Sequence, residues 1–379
     1  MANNMESENV QQPALAKHDS SVLDLAFAMD CTGSMSSYIK TGQDNIRNIV
    51  EQIVASEKSD IHLALVEYRD HPPEDSTFVT RTHDFTSSVK AMKGWLDACS
   101  AQGGGDTPEA VADALHDVLK LSWRPEATKI CVFISDAPPH GLGARCGDHF
   151  ADGCPNNLDP MTIVRSMAEK GITLYTVGCE PSITPYKEFF AALAYLTGGQ
   201  YVPLAGAKAL TQVIIGGAQE EISLERWMEE VNQQVIAEMN EKGEANVTED
   251  ELCSRVHSHL QSKGAKSKQL HRNMGKLQEA SKFAKEVSAY SNMSDVRSAY
   301  GKTLAAAPVP THPPSRSRGM FSRSSAPPPA AMAMAMAPSA MDGISASEDC
   351  YNVAEDEVQM EQARRMVQKS KMRNNFNFK

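Results

Sequence analysis

An apolar run, Leu25-Ala26-Phe27-Ala28-Met29, stops on a carboxylate, Asp30, and two hydroxyls follow at alternate positions, Thr32 and Ser34. A stretch with no polar alternation fits a parallel strand buried on both faces. Ligand sites of open α/β sheets lie at the carboxyl ends of such strands, which is where Asp30 falls. One carboxylate and two hydroxyls are hard oxygen donors, suited to a small divalent cation such as Mg²⁺. They suit nucleophilic chemistry less well, because no histidine lies close in sequence to activate either hydroxyl.

Two further segments extend the pattern. Gly103-Gly104-Gly105-Asp106-Thr107-Pro108-Glu109 precedes a helical run to Leu119. Its glycines let backbone approach a bound ion, Thr107 can cap the helix, and Pro108 is preset for a first turn. A second apolar run, Ile130-Cys131-Val132-Phe133-Ile134-Ser135, ends on Asp136, and Pro138-Pro139 forbid further pairing. Asp30, Thr32, Ser34, Thr107 and Asp136 thus come from three loops.

This set resembles the metal-ion-dependent adhesion site of von Willebrand factor type A domains, which carry Asp-x-Ser/Thr-x-Ser, a later Thr and a later Asp. The wording is closest to the A domains associated with alpha-type protein kinases. Matching stretches are Asp30 to Met35, Tyr68-Arg69-Asp70-His71, Gly103 to Glu109, and Asp136-Ala137-Pro138-Pro139-His140-Gly141. The resemblance covers about residues 20 to 215, one ordinary domain by size. It implies an α/β fold, a doubly wound and mostly parallel six-stranded sheet with helices on both faces. It also implies metal contact by Asp30, Thr32, Ser34 and Thr107, with Asp136 acting through a coordinated water or hydroxyl. Thr32 stands where Ser is commoner, which keeps the oxygen and adds a methyl.

Periodicity supports alternating strands and helices. Strands are expected at 22–29, 61–68, 129–135, 173–179 and 200–203, with a short edge strand near 78–83. Helices are expected at 36–56, 89–100, 108–119, 161–170 and 186–197. Alternation of this kind means a mostly parallel sheet covered on both faces. Beyond residue 208 the chain reads as helical at 209–239, at a stretch opened by the capping pair Thr248 and Glu251, and at 269–290. The expected organisation is a disordered arm at 1–19, the A domain at 20–215 and a helical extension at 216–298. A disordered linker rich in Pro, Ala and Met follows at 299–347, then a short helical or disordered tail at 348–379.

The net charge of −11 over 379 residues argues against nucleic acid as the main partner. No stretch is long and apolar enough for a transmembrane span, and the polar start lacks a signal-peptide core. Eight cysteines are spread widely, several inside apolar strands, as in reduced cytoplasmic proteins.

Around the five ligand candidates stand Asp70, His71, Asp106, Glu109 and His140. Asp70 and His71 either contact the site or a partner, or are turn residues. Asp106 and Glu109 either hold a metal-bound water or simply favour a helix start. The loop from His140 to Asp159, with Cys146, His149 and Cys154, could bind zinc, close a disulfide or shape the rim; its spacing matches no zinc signature.

The resemblance implies a non-catalytic intracellular binding module, an adaptor or scaffold. Its metal, Mg²⁺ or Mn²⁺ ahead of Ca²⁺, would receive a carboxylate from an acidic residue of a protein partner. An alternative is a regulator or paralogue in an alpha-type kinase pathway, without the kinase domain. A phosphate-hydrolysing enzyme of the haloacid-dehalogenase type needs a second carboxylate two residues after the first, where this chain has Thr32.

Overall fold

The computed structural model describes residues 19–57, 60–142, 147–243, 246–273, 275–306 and 350–376. The expected arm lies almost wholly outside these residues, as does most of the expected linker. The first strands and helices run β1 (Asp19–Asp30), α1 (Ser36–Glu57), β2 (Asp60–Tyr68), β3 (Thr80–Thr86), α2 (Val89–Ala98), α3 (Val111–Lys120) and β4 (Ala127–Ser135). There follow α4 (Pro160–Glu169), β5 (Ile172–Cys179), α5 (Lys187–Leu196) and β6 (Gln200–Leu204). The remainder is α6 (Leu210–Lys242), α7 (Glu249–Ser262), β7 (Lys266–Arg272), β8 (Gly275–Lys276), α8 (Lys282–Ala289), α9 (Met293–Ala306), β9 (Tyr351–Glu357) and α10 (Met360–Arg373).

Six strands form one sheet in the order β3-β2-β1-β4-β5-β6, all parallel except β3. The apolar runs account for this. All nine residues of β4 are buried, as expected of a strand covered on both faces. β3 has only exposed and half-buried positions and takes the edge, antiparallel to β2. Chain order moves outward from β1 to β2 and β3 on one side, then returns to β4, β5 and β6 on the other. The switch point lies between β1 and β4, where Met29 pairs with Ile134.

One core lies under α1, α2 and the first half of α6; another lies under α3, α4 and α5, with α8 and α9 added to its rim. The expected boundary at residue 215 falls inside α6. Leu210, Val213, Ile214, Ala218 and Ile222 close the sheet's face, and the second half of the same helix packs Val231, Val235 and Met239 against α7 and α10.

Three local expectations change. Residues 269–290 are not one helix but the strand β7, the short β8 and α8. β7 is polar, Lys-Ser-Lys-Gln-Leu-His-Arg, and pairs antiparallel along its whole length with β9 from far along the chain. The chain end is therefore a strand followed by a helix, and α9 carries helix to residue 306, into the expected linker. Finally, α3 starts at Val111, not at Pro108, because Glu109 N donates to Pro138 O at 3.0 Å and Ala110 N to Arg69 O at 2.9 Å. Those backbone bonds keep residues 109–110 out of the helix, with Ala110 at φ −74° and ψ 49°, so Thr107 caps nothing.

A buried ionic ladder fixes the chain end. Arg365, Lys369 and Arg373 recur every four residues on α10 and therefore share one face. They meet Glu220, Glu221 and Glu225 of α6. Arg365 lies 3.0 Å from Glu220 and 3.2 Å from Glu221, and donates to Tyr175 Oη at 2.6 Å and Gly198 O at 3.0 Å. Lys369 contacts Glu221, and Arg373 pairs with Glu225 at 2.9 Å. Removing one partner from such a cluster leaves uncompensated buried charge. Arg365→Ala is therefore expected to lower unfolding stability by about 3–5 kcal/mol, read from urea denaturation. A loss below roughly 1 kcal/mol, the worth of an exposed pair, would contradict the ladder's role.

Candidate metal centre

The carboxyl ends of β1 and β4 build the centre. Asp30 is fully buried at the end of β1. Its Oδ1 accepts from Thr32 N at 2.9 Å and from Thr32 Oγ1 at 2.6 Å, while Ser135 Oγ approaches its Oδ2 at 3.5 Å. Thr32 Oγ1 lies 3.4 Å from Ser34 Oγ, and the Ser34 hydroxyl bonds the Asp136 carboxylate. Asp30, Thr32, Ser34 and Asp136 thus form one continuous set of oxygens across the switch point. Thr107 stands apart: it is exposed on its loop, and among the described residues it makes no hydrogen bond to the other four.

Neighbouring backbone is held close to this set. Gly33 N donates to Gly103 O at 3.4 Å and Gln102 N to Cys31 O at 3.1 Å. Gly103 and Gly104 have φ of +82° and +86°, where L side chains are strained. A Cβ on Gly103 would come to 1.8 Å from Asp75 Oδ2, so this loop accepts no side chain there. Arg69, buried after β2, donates to Cys31 O at 3.2 Å, Thr77 Oγ1 at 2.7 Å and Ser100 O at 2.7 Å. It ties the exit of β1 to two other loops.

Carboxylates crowd the same sheet end. Burial, helped by repulsion from Asp136, pushes Asp30 up to about 7 despite the Thr32 hydrogen bonds. Burial also raises Asp136, which the Ser34 hydroxyl opposes. Glu109 is pushed up to about 11, by burial first and then by Asp30, Asp70, Asp106 and Asp136. Its Oε2 is buried with no hydrogen-bond partner. Asp106 is raised by burial, with Asp70 adding to the effect. An all-oxygen donor set with a buried carboxylate oxygen lacking any donor has the chemistry a hard divalent cation needs.

The outer candidates fall into two groups. Asp70 Oδ1 accepts from His71 N at 2.6 Å and pairs with His140 Nε2 at 2.7 Å; His140 Nδ1 pairs with Asp148 at 3.0 Å. His71 turns away, its Nε2 2.9 Å from Asp113 Oδ2. Asp113, Asp148 and Arg69 are site-forming residues that sequence reasoning assigned no role. Asp113 carried one signal: an acid between Ala112 and Ala114 on an otherwise buried helix face. His149 is exposed and contacts Glu74, while Cys154 carries a free thiol; Cys146 lies outside the described residues.

Residues 24–143 match the family model for the von Willebrand factor A domain. Alpha-protein kinase vwkA of Dictyostelium discoideum is 27% identical over 171 residues, covering 45% of this chain and 27% of that protein. von Willebrand factor A domain-containing protein 7 of Homo sapiens is 35% identical over 115 residues, covering 30% of this chain and 12% of that protein. The chain therefore spans only a minor part of the length of these relatives. Among solved structures, von Willebrand factor type A from Catenulispora acidiphila aligns with a TM-score of 0.38 at 15% identity, covering 54% of this chain and 43% of that one.

His140 generates a pH prediction. Burial works against its charge, but hydrogen bonds to Asp148 and Asp70 outweigh it and push the imidazole from 6.5 up to about 9. A folded-state value above the unfolded one gives stability that is fully present below 6.5 and lost as pH climbs through about 9. In chelator, the urea midpoint should fall across that window, and His140→Gln should flatten the slope. An unchanged slope in the variant would remove His140 as its source.

Proposed function

The chain carries a von Willebrand factor A domain, and on that footing we propose a non-catalytic protein-binding module that recognises a partner carboxylate through a divalent metal. Asp30, Thr32 and Ser34 would hold Mg²⁺ or Mn²⁺, with Asp136 behind them through water or the Ser34 hydroxyl. Thr107 would need its loop to turn inward to join them. The bound ion supplies an electron-poor site that favours an incoming anionic oxygen. The observation that carries this reading is the continuous oxygen set from Asp30 through Thr32 and Ser34 to Asp136 at the switch point.

The chain's own groups prepare that site. The Thr32 amide and hydroxyl aim the Asp30 carboxylate, and Arg69 fixes the turn that presents Thr32 and Ser34. Asp70 and Asp106 add negative potential that would draw a cation in. A role as adaptor or scaffold in the cytoplasm is part of the proposal. No helix among the described residues is long and apolar enough to cross a membrane, and the buried cysteines described are free thiols. The likeness to a protein named as an alpha-protein kinase supports a second reading, a regulator in such a kinase pathway.

Calorimetric titration of Mg²⁺ and Mn²⁺ into the whole chain tests the first reading. Asp30→Asn and Ser34→Ala should each weaken binding by roughly 10- to 100-fold or more while circular dichroism stays unchanged. Equal binding by wild type and both variants would place the ion elsewhere.

A further inference from the structure

We propose that His71, Asp113 and Cys154 form a second metal centre of a different kind, a zinc site that pins the loop before α4 to α3 and to the turn after β2. The three donor atoms converge from separate segments. His71 Nε2 is 2.9 Å and Cys154 Sγ 3.1 Å from Asp113 Oδ2, and Cys154 Sγ is 3.9 Å from His71 Nε2. Tetrahedral zinc with bonds of about 2.0–2.3 Å places its ligands roughly 3.3–3.7 Å apart. The three edges bracket that spacing, so a few tenths of an ångström of adjustment admits the ion.

Donor chemistry selects zinc over the hard cation expected at Asp30. One nitrogen, one oxygen and one sulfur suit a borderline-soft ion, whereas Mg²⁺ avoids sulfur. Surrounding groups orient the ligands as metal sites require. Asn156 Nδ2 donates to Asp113 Oδ1 at 2.6 Å, leaving Oδ2 for the metal, and Asn156 N donates to Cys154 Sγ at 3.3 Å. His71 and Asp113 are buried, while Cys154 is half-buried and lines, with Asp113, His140 and Glu109, a cavity of about 300 Å³. That cavity gives a path for the ion and room for water as fourth ligand. On binding, the Cys154 S–H bond breaks, its proton leaves to solvent, and the sulfur lone pair forms the bond to zinc. The proton that His71 Nε2 donates to Asp113 also leaves that nitrogen, passing by way of solvent to Nδ1, and the freed Nε2 lone pair takes the metal.

Without metal, the same residues would be a self-satisfied hydrogen-bonded cluster, and the two cases separate experimentally. Whole-chain protein is stripped with chelator, then titrated with Zn²⁺ against a chromophoric competitor in excess Mg²⁺. One zinc per chain is expected, weakened at least about 10-fold in Cys154→Ser and His71→Ala and unchanged in Asp30→Asn. Cobalt substitution guards against misfolded variants: wild type should show a thiolate-to-cobalt charge-transfer band that Cys154→Ser lacks. Failure of wild type to bind zinc, or equal binding and an unchanged cobalt spectrum in Cys154→Ser, overturns the site. Retention in Asp30→Asn keeps the outcome separate from that of the Asp30 centre.

Discussion

Parallel pairing of β1 with β4 is the constraint on which the remaining structure depends. Both strands run apolar toward their carboxyl ends, Leu25–Met29 and Ile130–Ile134, and are buried there, so both need cover on two faces and neither tolerates an edge. Placing them side by side puts the chain reversal of the sheet between them. Each strand ends where its apolar run ends, on Asp30 and on Ser135-Asp136. The fully buried Asp30 and the half-buried Asp136 are thereby brought to one sheet end, a costly arrangement unless oxygens, donors or a cation balance it. The Thr32 and Ser34 hydroxyls, the glycine loop at Gly103-Gly104 and the Arg69 guanidinium are all arranged around that point.

Charge also organises the far side of the molecule, by a different route. There α6 carries Glu220, Glu221 and Glu225 on a face that the sheet and α10 jointly bury, and α10 answers with Arg365, Lys369 and Arg373. The chain end is thus part of the folded unit. With Leu270 of β7 and Tyr351 of β9 in the first core, the extension and the sheet share apolar contacts as well.

What the sequence made legible follows the range of the interactions. The strands around Asp30 and Asp136 are continuous apolar runs toward their ends, so their type and their ends could be read locally, whereas the pairing of β1 with β4 stood only as the condition for the two carboxylates to meet. The oxygen set Asp30, Thr32, Ser34 and Asp136 was readable for the same reason. The β7–β9 pairing was not, because β7 has almost no apolar alternation and gains its strand form from a segment beyond residue 349. The start of α3 was misplaced because backbone bonds from Glu109 and Ala110 to Pro138 and Arg69 outweigh the preference of Pro108 for a first turn. The His71, Asp113 and Cys154 cluster joins residues 42 and 83 positions apart, and no local spacing announces it.

The most direct test of the central claim is a crystal of the whole chain soaked in Mn²⁺, with the anomalous signal of manganese locating the ion. A peak on the order of 2.1 Å from the Thr32 or Ser34 hydroxyl, beside Asp30, is the predicted result. A crystal with manganese elsewhere, and ordered water or nothing at that point, would contradict the metal-binding account of the switch point.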